Sequence, residues 1–120
     1  MKGISTVTYQ GKIIYFANFI NSGKTKEDTL GLINDIEVEF AKKPLKSILA
    51  LIDVSNIFFH LETLKAFKNL QNKSNQYCKK VAIIGLRGLM KTGFNSVAGK
   101  NDSVKSFNSE IEAKEWLISD

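Results

Sequence analysis

The alternation of apolar and polar residues predicts two strands and then a helix in the first part of the chain. Residues 5–19 ("STVTYQGKIIYFANF") predict a β-hairpin, because a tight turn at Gln10-Gly11 separates two strand-like runs. Within residues 24–43, apolar side chains recur at three- and four-residue steps, the spacing of one helix face, at Leu30, Ile33, Ile36 and Phe40. Pro44 ends this helix, since its ring cannot continue one.

The second half of the chain continues the alternation. Residues 45–54 ("LKSILALIDV") and 80–86 ("KVAIIGL") are near-continuous apolar runs, which predict strands covered on both faces. A helical stripe follows each run, first at Leu61, Leu64, Phe67 and Leu70, and then at Met90, Phe94 and Val97. Residues 104–108 ("VKSFN") predict a last strand. A final helix follows, in which Ser109 and Glu112 form a capping box and in which we expect Trp116 and Leu117 to pack against the sheet.

The predicted order of elements is therefore β-β-α-β-α-β-α-β-α. Strands separated by helices of this length pair in parallel through right-handed crossovers, and the hairpin adds one antiparallel strand at or near an edge. We predict a single α/β domain over residues 1–120, with a mixed, mostly parallel sheet of about five strands and four helices. Three helices would then cover one sheet face. The other face needs the last helix or a second copy, and we expect a homodimer.

Composition indicates an ordinary globular chain. Hydrophobic residues make up 43% and charged residues 24%. The single cysteine, Cys78, excludes an internal disulfide framework and favours a reducing compartment. The first residues ("MKGISTVTYQGK") hold no apolar segment of the signal-peptide type, and no run approaches the ~20 apolar residues of a membrane span. We therefore expect a cytoplasmic location.

The net charge of +5 does not by itself indicate a nucleic-acid partner. Its densest basic stretches, residues 41–46 ("AKKPLK") and 77–80 ("YCKK"), fall where helices are predicted to end, and cations are favoured at helix C-termini. The chain has a single Arg and no basic tail. One His and one Cys also cannot build a zinc site of the usual kind, so we expect no metal and no cofactor.

Candidate site residues follow two strands that the topology makes neighbours. In open α/β sheets, ligands bind beyond the carboxyl ends of the strands, where the segments 53–60 and 85–91 ("GLRGLMK") begin. Gly85 and Gly88 allow close backbone approach, and Arg87 with Lys91 could face an anion, although a simple Asp53–Arg87 surface pair is an equal alternative. The candidate ligand- or partner-binding residues are Asp53, Ser55, Phe58, Phe59, His60, Thr63, Arg87 and Lys91.

Two catalytic interpretations are weaker. Asp53, Ser55 and His60 include the residue types of a nucleophile triad, but no G-x-S-x-G elbow surrounds the serine. Residues 21–25 ("NSGKT") resemble the end of a phosphate-binding loop, but Asn18 occupies the position of its first Gly.

Adjacent residues of an extended segment face opposite ways, so we expect Phe58 or Phe59 to be partly exposed as an anchor for a partner or a lipid chain.

The order of elements resembles the STAS domain of the anti-sigma-factor antagonists, and in particular its SpoIIAA-like (STAS/SEC14-like) branch. The family has a strand ending in Asp-Leu-Ser-Gly-Val, followed shortly by Asp-Ser-Ser-Gly at a helix start. Residues 53–59 ("DVSNIFF") are similar to the first motif, and residues 80–99 and 106–117 resemble the strand and helix pairs that follow. In place of the second motif this chain has "LETL" (61–64), in which Thr63 alone stands near the phosphorylated serine.

The resemblance implies a non-enzymatic regulatory or protein-interaction module that acts through a protein partner such as a kinase or regulator. A small anionic or lipid ligand is compatible with the same resemblance. Phosphorylation at Thr63 is its weakest implication, because His60 or Asn56 capping the helix, with Thr63 in the first turn, explains the same residues by backbone hydrogen bonding alone. The alternative is a small enzyme or ligand-binding protein with a pocket at Asp53, His60 and Arg87.

Overall fold

The computed structural model describes residues 3–58, 60–86 and 103–119. In chain order the elements are β1 (Ile4–Tyr9), β2 (Lys12–Asn18), α1 (Lys26–Phe40), β3 (Ile48–Asp53), α2 (Leu61–Ser74), β4 (Cys78–Ile84), β5 (Val104–Phe107) and α3 (Glu110–Ile118). The helix expected around Met90, Phe94 and Val97 lies outside the described residues. Within them, the fold is α/β with three helices and a five-stranded mixed sheet.

The strands lie in the sheet in their chain order, β1-β2-β3-β4-β5. β1 and β2 form the antiparallel hairpin, and β2–β3, β3–β4 and β4–β5 are parallel pairs. Gln10 (φ 47°) and Gly11 (φ 82°) both have positive φ, as the tight turn of a two-residue hairpin requires. The hairpin prediction is confirmed.

Helices α1 and α2 cover one face of the sheet. Their apolar side chains join those of β2, β3 and β4 in one buried cluster that includes Phe19, Ile36, Ala50, Ile52, Phe67 and Ile83. The predicted stripe of α2 is partly wrong at its start, because Leu61 is 63% exposed. Leu61 is the first residue of α2, and the helical period places Thr63, Phe67 and Leu70 on the buried face instead. In α1, Leu32 is buried and Leu30 only partly so.

Helix α3 packs on the opposite face. Ala113 and Leu117 are buried against a second cluster formed by Ile14, Leu51, Ala82 and Ile84. Trp116 is half-buried, with its ring 5.5 Å from that of Phe107. The expectation that Trp116 and Leu117 pack against the sheet is confirmed. Because α3 provides this cover, the sheet needs no second copy to bury this face.

Hydrogen bonds hold both ends of α3, through a local cap at its start and through a distant lysine at its end. The Ser109 side chain accepts from the Glu112 N–H at its start, and the Lys80 ammonium donates to the carbonyl oxygens of Trp116 (2.9 Å) and Ser119 (2.7 Å) at its end. The Tyr9 hydroxyl donates to the Glu115 carboxylate at 2.9 Å. This hydrogen bond, together with burial and the carboxylate's charge, raises the pKa of Tyr9. Among the described residues, no helix has the length and apolar character needed to cross a membrane.

Candidate functional site

The candidate site begins where β3 ends, at Asp53. One oxygen of its carboxylate, Oδ1, accepts hydrogen bonds from the Ser55 backbone N–H (2.9 Å) and from the Ser55 hydroxyl (2.5 Å). An aspartate that bonds the backbone two residues ahead forms a local turn, which explains why the chain leaves the strand at this point. Asp53 is partly buried, while Ser55 is exposed.

Gly85, just after β4, lies directly against this turn. Its φ of +89° is in the left-handed region, and a Cβ there would stand 2.4 Å from Ser55 Oγ and 2.9 Å from Asp53 Oδ1. The Val54 N–H donates to the Ile84 carbonyl at 2.9 Å, which joins the two loops above the sheet. Only glycine therefore fits both the conformation and the space at residue 85.

The loop after β2 packs against the other side of the same segment. The Phe19 N–H donates to the Asp53 carbonyl (3.0 Å), and the Asn56 side-chain amide donates to the Ile20 carbonyl (3.2 Å). A Cβ on Gly23 would lie 1.3 Å from the Asn56 carbonyl oxygen, so the two backbones are in direct contact. The segment after Asp53 is thus held between the loops that follow its neighbouring strands.

Thr29 of α1 joins the loop after β2 to the segment after β3. Its side chain is fully buried, and its hydroxyl donates to the Ser22 carbonyl (2.8 Å) and accepts from the Phe58 N–H (3.1 Å). This role could not be predicted from the sequence. A threonine one position before the apolar residue Leu30 has the pattern of an ordinary amphipathic helix, and its two partners are distant in the chain.

The start of α2 closes the segment through a reciprocal cap. His60 Nδ1 accepts from the Glu62 N–H (3.1 Å), while the Thr63 hydroxyl accepts from the His60 N–H (2.9 Å) and lies within 2.8 Å of the Phe58 and His60 carbonyl oxygens. This confirms the alternative in which His60 caps the helix and Thr63 sits in its first turn. Thr63 is 2% exposed, so phosphorylation of its hydroxyl would require this helix start to open.

The remaining predicted residues divide between the exposed edge and the undescribed part of the chain. Asp53, Ser55, Phe58 and His60 lie along the same segment, in which Ser55 and His60 are exposed, Phe58 is partly buried, and the Phe58 and His60 rings are 6.3 Å apart. Phe59, Arg87 and Lys91 lie outside the described residues, as do Gly88 and the alternative Asp53–Arg87 pair.

An open cleft that the sequence did not predict lies beside the hairpin. It is a cleft of about 510 Å³ lined by Gly3, Ile4, Ser5, Phe16, Asn18, Ile20, Asn21 and Ser22. Its lining includes neither Asp53 nor His60 and carries no charged side chain. The cleft therefore does not provide the predicted pocket at these two residues.

Metal binding and thiol catalysis find little support among the described residues. No three His, Cys, Asp or Glu side chains there come together as metal ligands would. Cys78 is buried at the start of β4, and burial raises the pKa of its thiol to about 12. A thiol with this pKa is a poor nucleophile at neutral pH, since only the thiolate reacts.

Comparison with known proteins supports the fold. A crystal structure of an uncharacterized protein of the DUF3478 family from Shewanella loihica PV-4, described as having a SpoIIAA-like fold, superposes with a TM-score of 0.66. The two sequences are 24% identical over 95% of this chain and 91% of that one. No family model and no curated protein matches the chain. The chain has a SpoIIAA-like fold, as the sequence resemblance implied.

Proposed function

We propose that the protein is a non-enzymatic interaction module of the STAS type, whose recognition surface is the segment from Asp53 to His60, which we call the recognition segment. The observation that carries this proposal is the way the segment is held. It exposes Ser55, Asn56 and His60 to solvent, while buried hydroxyl groups fix its backbone from below. A surface ordered before binding loses little conformational entropy when a partner docks.

The chemistry of His60 argues for recognition over catalysis. Its Nδ1 lone pair accepts the Glu62 N–H, so in the neutral ring the proton lies on Nε2. In this state neither ring nitrogen has a free lone pair, and His60 can act as a general base only by giving up the helix cap. The Ser55 hydroxyl already donates to Asp53, which also accepts the Ser55 N–H. Ser55 and His60 share no hydrogen bond, so the serine–imidazole pair of a nucleophile triad is not formed.

The partner class follows from the same residues. The exposed groups are hydroxyl, amide and imidazole, beside the partly buried Phe58 ring. Such a mixture of an aromatic anchor with polar groups around it is typical of a protein-binding patch. We propose a protein partner that inserts an apolar side chain beside Phe58 and hydrogen-bonds to Ser55 and Asn56. Regulation by phosphate at Thr63 is not part of this proposal, because its hydroxyl belongs to the cap.

The test is quantitative capture from an extract of the native cell with four folded forms of the protein. Phe58→Ser removes the anchor, and His60→Asn removes the imidazole but keeps an N-cap acceptor. Ile111→Ser is the matched control, since Ile111 is 68% exposed on α3 across the sheet. We expect a partner that wild type and Ile111→Ser recover equally and that Phe58→Ser loses. Direct titration with that purified partner should then repeat the order of affinities.

Two results would contradict the proposal. One is a set of captured proteins that neither Phe58→Ser nor His60→Asn changes. The other is an esterase or phosphatase activity of wild type that Ser55→Ala abolishes while capture is unaffected. That second outcome would support the small-enzyme alternative at Asp53, Ser55 and His60.

A further inference from the structure

Among the described residues, β1 is an edge strand, with one row of backbone hydrogen-bonding groups that faces away from β2. Asn18 N–H donates to the Gly3 carbonyl at 2.7 Å, so Gly3 and Asn18 form a hydrogen-bonded pair of the hairpin. Hydrogen-bonded and non-hydrogen-bonded pairs alternate along an antiparallel ladder. In the hairpin register, Ser5, Val7 and Tyr9 therefore bond to β2, whereas the N–H and C=O groups of Ile4, Thr6 and Thr8 point away from it.

Nothing in the composition of β1 protects this edge. Natural edge strands are usually short, charged, bulged or interrupted by proline, which prevents pairing with another chain. β1 has six residues (ISTVTY), without charge or proline, and its pairing with β2 has no bulge. β5, by contrast, has four residues and carries Lys105. Within the described residues, β2 is the only strand that pairs with β1.

We propose that β1 pairs antiparallel with β1 of a second copy of this chain, with the two-fold axis at Thr6. The outward-pointing residues are evenly placed about Thr6, so Thr6 faces Thr6 of the other copy and Ile4 faces its Thr8. Each of these three hydrogen-bonded pairs exchanges two hydrogen bonds, which gives about six across the interface. Thr–Thr pairs and pairs of β-branched residues are favourable across strands, and this register opposes no like charges.

The side chains of Thr6 and Thr8 are exposed, and two open grooves border β1. The cleft of about 510 Å³ lies along one part of β1, and a second open groove of about 450 Å³ is lined by Ile4, Ser5, Thr6, Tyr15 and Glu39. The odd-numbered residue Tyr9 belongs to the α3 side of the sheet and Ile4 to the α1 side, so an added strand would extend both faces in register. The dimer is a continuous ten-stranded sheet. The partner is a copy of this chain because the outward-pointing residues 4, 6 and 8 pair with the same set of residues when two β1 strands run antiparallel about Thr6.

The first test is sedimentation velocity of the full chain over a wide concentration range. Wild type should show a monomer–dimer equilibrium. Thr6→Pro should be monomeric, because it removes an outward N–H and places a ring in the way of the added strand. The hairpin itself is expected to persist in this variant, since Thr6 N–H does not bond to β2, and circular dichroism checks this. A wild type that stays monomeric at about 0.5 mM, or a folded Thr6→Pro that dimerises like wild type, would overturn the proposal.

The second test fixes the register and does not depend on the proline variant. The dimer dissociation constants of Thr6→Lys and of Thr6→Asp should each be at least about threefold higher than that of wild type, because like charges meet at the two-fold axis. Mixed together, the two variants should form heterodimers above the statistical half, measured by native mass spectrometry. The same pair of substitutions at Thr8 is the matched control, since residue 8 faces Ile4 of the other copy. Equal preference at both positions, or none at residue 6, would refute this register.

Discussion

Replacing Thr29 with valine tests whether its buried hydroxyl holds the recognition segment. Valine has nearly the same shape, and both residues are similar in helix propensity, so the change removes the hydroxyl and little else. The Phe58 N–H and the Ser22 carbonyl then lose a partner. We therefore expect a loss of stability concentrated at the contact between α1 and the two loops.

The magnitude follows from those two groups. A buried donor or acceptor left without a partner costs about 1–3 kcal/mol. Ser22 and Phe58 are only partly buried, so water can reach their backbone more easily than in a closed core. We expect the lower part of the range for each group and a total of about 2–3 kcal/mol. Thr29→Ser keeps the hydroxyl and removes one methyl group, which should cost about 1 kcal/mol.

The assay combines chemical denaturation with amide hydrogen exchange. Denaturant midpoints of wild type, Thr29→Val and Thr29→Ser give the stability differences, provided that the slope is unchanged. Exchange of the Phe58 amide, followed by NMR, reports the local effect, because this N–H bonds directly to Thr29. It should exchange faster in Thr29→Val than global destabilisation alone explains, and should stay protected in Thr29→Ser.

The reasoning would be refuted by a Thr29→Val protein as stable as Thr29→Ser to within about 0.5 kcal/mol. Unchanged protection of the Phe58 amide would refute the local part separately. In that case the recognition segment would be held by the Thr63 cap and the Gly23 contact, and the hydroxyl of Thr29 would contribute little.

Three further predictions concern other parts of the molecule. Gly31→Ala should raise stability by about 0.5–1 kcal/mol, because a Cβ at residue 31 meets no other atom within 4 Å. Gly23→Ala should lower stability by more than that, because a Cβ at residue 23 meets the backbone of Asn56. Equal thermal shifts of the two variants would contradict this. Leu117→Ala should cost about 3 kcal/mol and the half-buried Trp116→Ala about 2, and unfolding curves that barely move would make α3 peripheral. The raised pKa of Cys78 disfavours its thiolate in the folded state, so stability should fall as pH rises from about 9 to about 12. The fall should be larger in wild type than in Cys78→Ala, and equal stability profiles of the two proteins would refute this.

Local signals in the sequence predicted the elements well. The turn at Gln10-Gly11 and the apolar runs of β3 and β4 depend on neighbouring residues alone, and the structure confirms them. The His60 cap was also predictable as an alternative, because a cap involves only residues within one helical turn. These features have short-range causes, so a single sequence is enough to infer them.

The support of the recognition segment was not predictable, because it depends on contacts between distant residues. Thr29 bonds to Phe58 across 29 positions, and Gly23 fits against the loop that contains Asn56. Nothing in a helical stripe distinguishes a buried threonine from a surface one. For the same reason the sequence alone allows phosphorylation at Thr63, since the burial of this residue depends on the loops packed around it.

The arrangement of the sheet in chain order has a consequence for how the molecule folds. In the described part of the chain, every strand lies beside its predecessor, so the sheet can grow strand by strand as the chain leaves the ribosome. Helix α3 is the exception, because its hydrogen bonds to Tyr9 and Lys12 span 106 positions. We expect α3 to dock last and to detach first, as a unit whose amides exchange faster than those of β3. Detachment would bare the apolar side chains of Ile14 and Leu51 while the five-stranded sheet remains, and chaperones bind such surfaces.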